Sequence, residues 1–177
     1  MLITATQFLL SSGCNKNKTT PCVFGGYSFA VASECTPQKN FYYLGDTIYL
    51  TSTFPKSLTN LINPSLVVNY SYSVGIHGDL RINIVDSIVR QTMPAKDSFD
   101  FISVTGTFSE RLRNQGLNFN YFESTSVYEF KCAIVCRKKG LYGLGVVNLI
   151  SMGIRGKNCT NAGFKMTVTN SDKHLTL

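Results

Sequence analysis

The chain has 177 residues, a formal net charge of +7, 44% hydrophobic and 15% charged residues, and 12 Phe and 9 Tyr but no Trp. That length makes one domain with a substantial core, and the charged fraction falls well below the globular average of about 25%, which suits a β-rich extracytoplasmic protein better than a cytosolic enzyme. No zinc-finger, helix-turn-helix or RNA-recognition pattern accompanies the positive charge, so nucleic acid is not expected as a partner.

Residues 1–13 pass from an apolar run ending Phe8-Leu9-Leu10 to the small residues Ser11, Ser12 and Gly13, and Cys14 follows. This order resembles the end of a bacterial lipoprotein signal peptide, whose cysteine becomes the lipid-bearing first residue of the mature protein. The run is too short to cross a bilayer, which takes about 20 apolar residues. Residues 14–21, with Lys16 and Lys18, read as a polar tether closed by Pro21, and residues 22–177 as a single domain.

Within that domain Tyr27, Phe29 and Val31 alternate, predicting a first strand over 27–33. Leu44-Gly45-Asp46 is a turn that launches a strand over 47–52. Residues 54–64 are irregular, with a single helical turn at 57–62. A strand follows over 66–74, a Gly-rich turn over 75–78, and a strand over 80–85 in which Leu80, Ile82 and Ile84 share a face. Residues 93–98 read as a loop, 99–108 as a long strand and 110–116 as the one short helix. Residues 127–137 place Tyr128, Phe130, Cys132, Ile134 and Cys136 on one face. The basic turn Lys138-Lys139-Gly140 then signals a hairpin with a strand over 141–151. Phe164, Met166 and Val168 mark the last strand. Together these predict an all-β fold, an antiparallel β-sandwich of seven to eight strands, Ig-like or a related Greek key. A small β-barrel is the alternative.

Six cysteines stand at 14, 22, 35, 132, 136 and 159, with no CxxC pair and no histidine at zinc spacing, so no metal site is expected. Cys132 and Cys136 lie about 13 Å apart along a regular strand and cannot join, because a disulfide holds its Cα atoms within about 7 Å. Cys22 and Cys159 flank the first and last strands and form the preferred disulfide. A bond from Cys35 to Cys132 or Cys136 stays open. With Cys14 lipidated, five cysteines remain and at least one is unpaired.

His77 and His174 lie outside any triad context, and Gly140 to Gly145 does not lead into a helix, as a phosphate loop would. No catalytic residue and no cofactor is expected. A small hydrolase using a pair of the ten carboxylates is the remote alternative. The aromatic clusters Phe41-Tyr42-Tyr43 and Phe119, Tyr121, Phe122 are too dense for strict alternation. They form a candidate surface for a peptide, a glycan or a partner protein; the competing reading has them capping the two ends of the sandwich.

Cys22-Val-Phe-Gly-Gly-Tyr-Ser-Phe29, then Pro37, then Tyr43-Leu-Gly-Asp-Thr-Ile48, with Cys159 before an alternating last strand, resembles small envelope lipoproteins of Bacteroidota-type bacteria over roughly residues 14–170. The resemblance implies a secreted, membrane-tethered β domain and supplies no activity; the expected role is that of a non-catalytic accessory or binding subunit of an outer-membrane assembly. It also implies O-glycosylation at Asp-Ser/Thr-aliphatic motifs, matched by Thr47 and Ser87. Surface-displayed members carry acidic residues after the lipid cysteine. Asn15-Lys-Asn-Lys18 stands there instead and favours the periplasmic face.

Overall fold

The structure, a computed structural model, describes residues 26–39, 41–86, 91–110, 116–146, 149–169 and 175–176. Among the described residues fifteen strand segments follow one another: β1 Tyr27–Thr36, β2 Thr47–Pro55, β3 Ser57–Thr59, β4 Val67–Asn69, β5 Ile76–Asp86, β6 Gln91–Pro94, β7 Phe99–Thr105, β8 Thr107–Glu110, β9 Leu117–Asn120, β10 Phe122–Glu123, β11 Val127–Cys136, β12 Leu141–Val146, β13 Leu149–Ser151, β14 Ala162–Thr169 and β15 Leu175–Thr176. Among the described residues the one helical element is a 3₁₀ turn at Lys96–Ser98.

The fold is a β-sandwich. One layer runs β7–β11–β2, with β10 beside β11. In the other, β5 carries β9 and β6 along one edge and β13 and β12 along the other, and β14 follows β13. Aromatic rings from the two layers meet in between: Phe130 on Phe119 at 4.4 Å, Phe99 on Tyr142 at 4.8 Å and Phe54 on Phe164 at 5.7 Å. The inward positions of β11 are those the alternation marks. Tyr128, Phe130, Cys132, Ile134 and Cys136 are all buried.

Two strands join the layers. β1 lies parallel to β14 from Tyr27 opposite Ala162 to Glu34 opposite Thr169, and its last residues pair antiparallel with β2. β7 and β8 are halves of one strand bent at Gly106: the first half pairs β11 and the second pairs β9. Gly106 has φ +82°, and a Cβ there would stand 2.3 Å from the carbonyl oxygen of Asn120, so this corner admits glycine alone.

Several sequence expectations change. The β1–β14 pair is parallel, so the sandwich is not antiparallel throughout. The segment at 57–62 is not helical; Ser57–Thr59 and Val67–Asn69 form a hairpin that turns Leu58 and Val68 inward. Residues 76–78 are strand, because Ile76 and Gly78 continue the inward alternation of β5. Residues 117–120 are strand too, and the helix expected at 110–116 falls mostly outside the described residues. β11 and β12 do not form a hairpin. The backbone N–H groups of Arg137 and Lys138 both donate to Ser98 O, and the Tyr142 hydroxyl donates to the carbonyls of Lys138 and Lys139. These bonds carry the chain over to the other layer, where β12 pairs β5.

Candidate functional site

Strand direction defines two ends. The proximal end is where the chain enters β1; it carries the connections 56–75, 121–126 and 152–161. The distal end carries the turn before β2, the 3₁₀ turn and the crossing 137–140.

At the distal end, Tyr43 to Asp46 forms a hydrogen-bonded turn, with Asp46 N donating to Tyr43 O at 3.0 Å and Gly45 at φ +88°, the geometry of a type II turn. The Asp46 carboxylate accepts from Tyr43 N at 3.0 Å and from Lys39 Nζ at 2.8 Å. The Lys39 hydrogen bond, followed by that of Tyr43, holds the Asp46 carboxyl below the usual range. Gly45 N donates to Cys136 O, and Cys136 N donates to Asp46 O, fastening the turn to the end of β11. Tyr42 points into the core and its hydroxyl donates to Pro37 O at 2.6 Å. Phe41 and Tyr43 on either side point outward, 53% and 67% exposed, with ring planes at 90° and centroids 5.6 Å apart. Leu44 at the tip is 52% exposed.

The second aromatic cluster does not join this one. Phe119 and Tyr121 are buried between the layers, so neither they nor Tyr42 belong to a binding surface. Phe122 is exposed, but at the proximal end. There it lines an open groove with Lys56, Tyr72, Glu123, Ser124 and Thr125. Lys56 Nζ lies 2.9 Å from the Glu123 carboxylate, which also accepts from Tyr72 N at 2.7 Å. Tyr72 itself has φ +60° and stands 71% exposed. Nothing in the sequence pattern marks Tyr72, because its exposure follows from a backbone kink within a run expected to be strand.

Two further carboxylates are held by cations. Asp100 is paired with Arg137 at Nε–Oδ2 2.6 Å, and Asp79 lies 3.6 Å from Arg81. Asp97 and Asp100 line an open groove of about 650 Å³ with Lys96 and Phe101, and of these two carboxylates Asp100 is the one paired with Arg137. Among the described residues no group of three His, Cys, Asp or Glu is placed to hold a metal ion, and no helix is long and apolar enough to cross a membrane.

Cys159 is disulfide-bonded, sits exposed in the 152–161 connection and has φ +57°. Cys35, Cys132 and Cys136 are free thiols. Burial pushes them up to about 11, about 12 and about 11, so they remain protonated and unreactive near neutral pH. Thr47 is half-buried at the first position of β2, opposite Val135. Cys14, Cys22 and Ser87 lie outside the described residues.

No family model matches the chain, and no curated protein does. Among solved structures it is similar to the type II cohesin A11 from Bacteroides cellulosolvens, with a TM-score of 0.33 and 12% identity, over 78% of this chain and 95% of that one. The sandwich assignment rests on the packing between the layers.

Proposed function

We propose that the chain is a non-catalytic cell-envelope lipoprotein, anchored by acylated Cys14 after loss of residues 1–13, tethered by residues 14–21, and binding a protein partner in an outer-membrane assembly through the distal turn. The observation that carries the binding role is the Phe41–Tyr43 pair. Two aromatic rings and Leu44 are held in water on a turn whose backbone is fixed by Asp46, Lys39, Cys136 and the buried Tyr42. Exposed apolar surface costs roughly 25 cal/mol per Å², and rigid aromatic anchors are what interfaces use. Because the rings stand perpendicular, they offer an edge and a face rather than a flat sugar platform, which favours a peptide or protein ligand over a glycan.

The disulfide at Cys159 supports export, since disulfides persist in oxidising compartments. The parallel register places the starts of β1 and β14 side by side, which favours Cys22 as its partner and leaves Cys14 for the lipid. Lys16 and Lys18 favour the periplasmic face. Glycans on Thr47 and Ser87 belong to the same reading and would appear as mass increments on the peptides that contain them.

Mass spectrometry of the membrane fraction tests the anchor: acyl chains on Cys14 are expected, and an unmodified Cys14 in the cytosol would sink the proposal. For the binding role, a photo-crosslinker at Tyr43 should capture a defined protein, and Phe41→Ser/Tyr43→Ser should abolish its co-purification. Unchanged co-purification would refute the site.

A further inference from the structure

The proximal end carries the other concentration of exposed apolar side chains. Leu61, Ile62, Tyr72, Val74, Phe122 and Met152 stand between 47% and 72% exposed. Backbone bonds hold these loops to the proximal end: Leu61 N donates to Ser28 O of β1, and Val74 N to Gly153 O and Arg155 N to Tyr72 O join the 72–74 and 153–155 segments. The charges there are one-sided. Lys56 and Glu123 neutralise one another, while Arg155 and Lys157 are exposed in the same loops. Tyrosine, aliphatic side chains and cations on one face form the composition that sits at a bilayer surface.

The path of the chain says which end can reach a membrane. Tyr27 N donates to Asn161 O at 2.9 Å, so the segment that leads back to Cys14 leaves the domain at the proximal end, beside Cys159. With Cys22 joined to Cys159, the eight residues from Cys14 to Cys22 span at most about 29 Å. The ten residues of β11 alone extend about 33 Å. A lipid on Cys14 therefore does not let the domain stand on its distal turn, and the proximal end is the one kept within the tether's reach of the bilayer.

We infer that the proximal end is a membrane-contact face, resting on anionic phospholipid headgroups. Ile62, Tyr72 and Met152 enter the interface, and Arg155 and Lys157 meet phosphate. The direction of this face rests on the lipoprotein reading; its chemistry does not. The distal turn is thereby presented away from the membrane, free for a partner.

The test uses the full chain made unlipidated by Cys14→Ser, with vesicles of phosphatidylcholine alone or mixed with phosphatidylglycerol. The chain holds no tryptophan, so Ile62→Trp is a silent-background reporter. Its emission is expected to shift to the blue on phosphatidylglycerol vesicles, to be quenched by lipid-borne spin labels, and to lose the shift in high salt. Ile62→Ser/Met152→Ser should lower vesicle partition about tenfold, whereas Phe41→Ser/Tyr43→Ser should leave it unchanged. A shift at Phe41→Trp in place of Ile62→Trp, absence of binding at every composition, or a response to an added protein and not to vesicles each overturns the inference. The two readings fail separately. A lipid on Cys14 with an unresponsive Ile62→Trp refutes the face and keeps the anchor; a vesicle-bound reporter in a chain never acylated at Cys14 does the reverse.

Discussion

Leu50 shows how single residues decide the redox chemistry of the interior. In register it stands opposite Cys35 of β1 on one side and Cys132 of β11 on the other. Two strand spacings separate those cysteines by nearly 10 Å, beyond the reach of a disulfide, so both stay as thiols. Tyr121 is a different case. Its ring packs on Phe54 and Phe130, but its buried hydroxyl finds no partner at good hydrogen-bond geometry: the Ser52 hydroxyl beside it donates to Ala32 O at 2.7 Å. A buried unpartnered hydroxyl costs about 1–3 kcal/mol. Tyr121→Phe is therefore expected to stabilise the protein by about 1 kcal/mol, seen as a higher urea midpoint; a lower midpoint would mean that the hydroxyl has a partner. Asp46 acts through its two acceptor contacts. Asp46→Ala should speed tryptic cleavage after Lys39, whereas Asp46→Asn, which keeps an oxygen for Tyr43 N, should resist it. Equal rates in the two variants would remove Asp46 from the support of the turn.

Among the elements, the bent strand β7–β8 depends most on one position. Gly106 combines a left-handed φ with a carbonyl at the place a Cβ would take. Gly106→Ala should destabilise the protein by about 3 kcal/mol, and the exchange of amide protons in β8 and β9 should rise before that in β2 and β11. Uniform exchange would show that the corner is not a separate point of weakness. This element also shows where sequence reading stops. The alternation at 27–33, 80–85 and 127–137 was legible because a strand with one buried face writes period two into the chain. The corner was not, because residues 99–108 read the same whether or not their two halves pair with different layers. Lys138-Lys139-Gly140 misleads for the same reason: turn chemistry reports a reversal of direction but not which layer the next strand joins. Of the six aromatics expected at a surface, only Phe41, Tyr43 and Phe122 are there. Density in the sequence could not separate them from Tyr42, Phe119 and Tyr121, whose burial depends on contacts from distant strands.

At the scale of the molecule, β1 beside β14 brings the start of the domain to its last long strand, a parallel pairing that local pattern cannot foretell because it joins segments more than a hundred residues apart. Cys132 and Cys136 lie in the interior and Cys35 is half-buried against it, and this has a consequence for pH. An unfolded thiol titrates near 9.0, whereas burial, the largest cause in each case, holds these three at about 11 to 12 in the fold. Between those values the native state keeps protons that the unfolded chain has released, so stability is fully present below about pH 9 and is lost as pH rises toward the folded values. Tyr128, raised to about 12 by burial, adds to the same loss at higher pH. For Cys132, with no surface exposed, the loss approaches about 1.4 kcal/mol per pH unit. The melting temperature should therefore fall steeply from pH 9 to 11. In Cys132→Ala it should start lower, because a cavity replaces the sulfur, and fall less steeply, because one of the three titrations is gone. Parallel curves for the two proteins would show that the Cys132 thiol does not couple to folding, and would leave the alkaline limit to Cys35, Cys136 and the tyrosines.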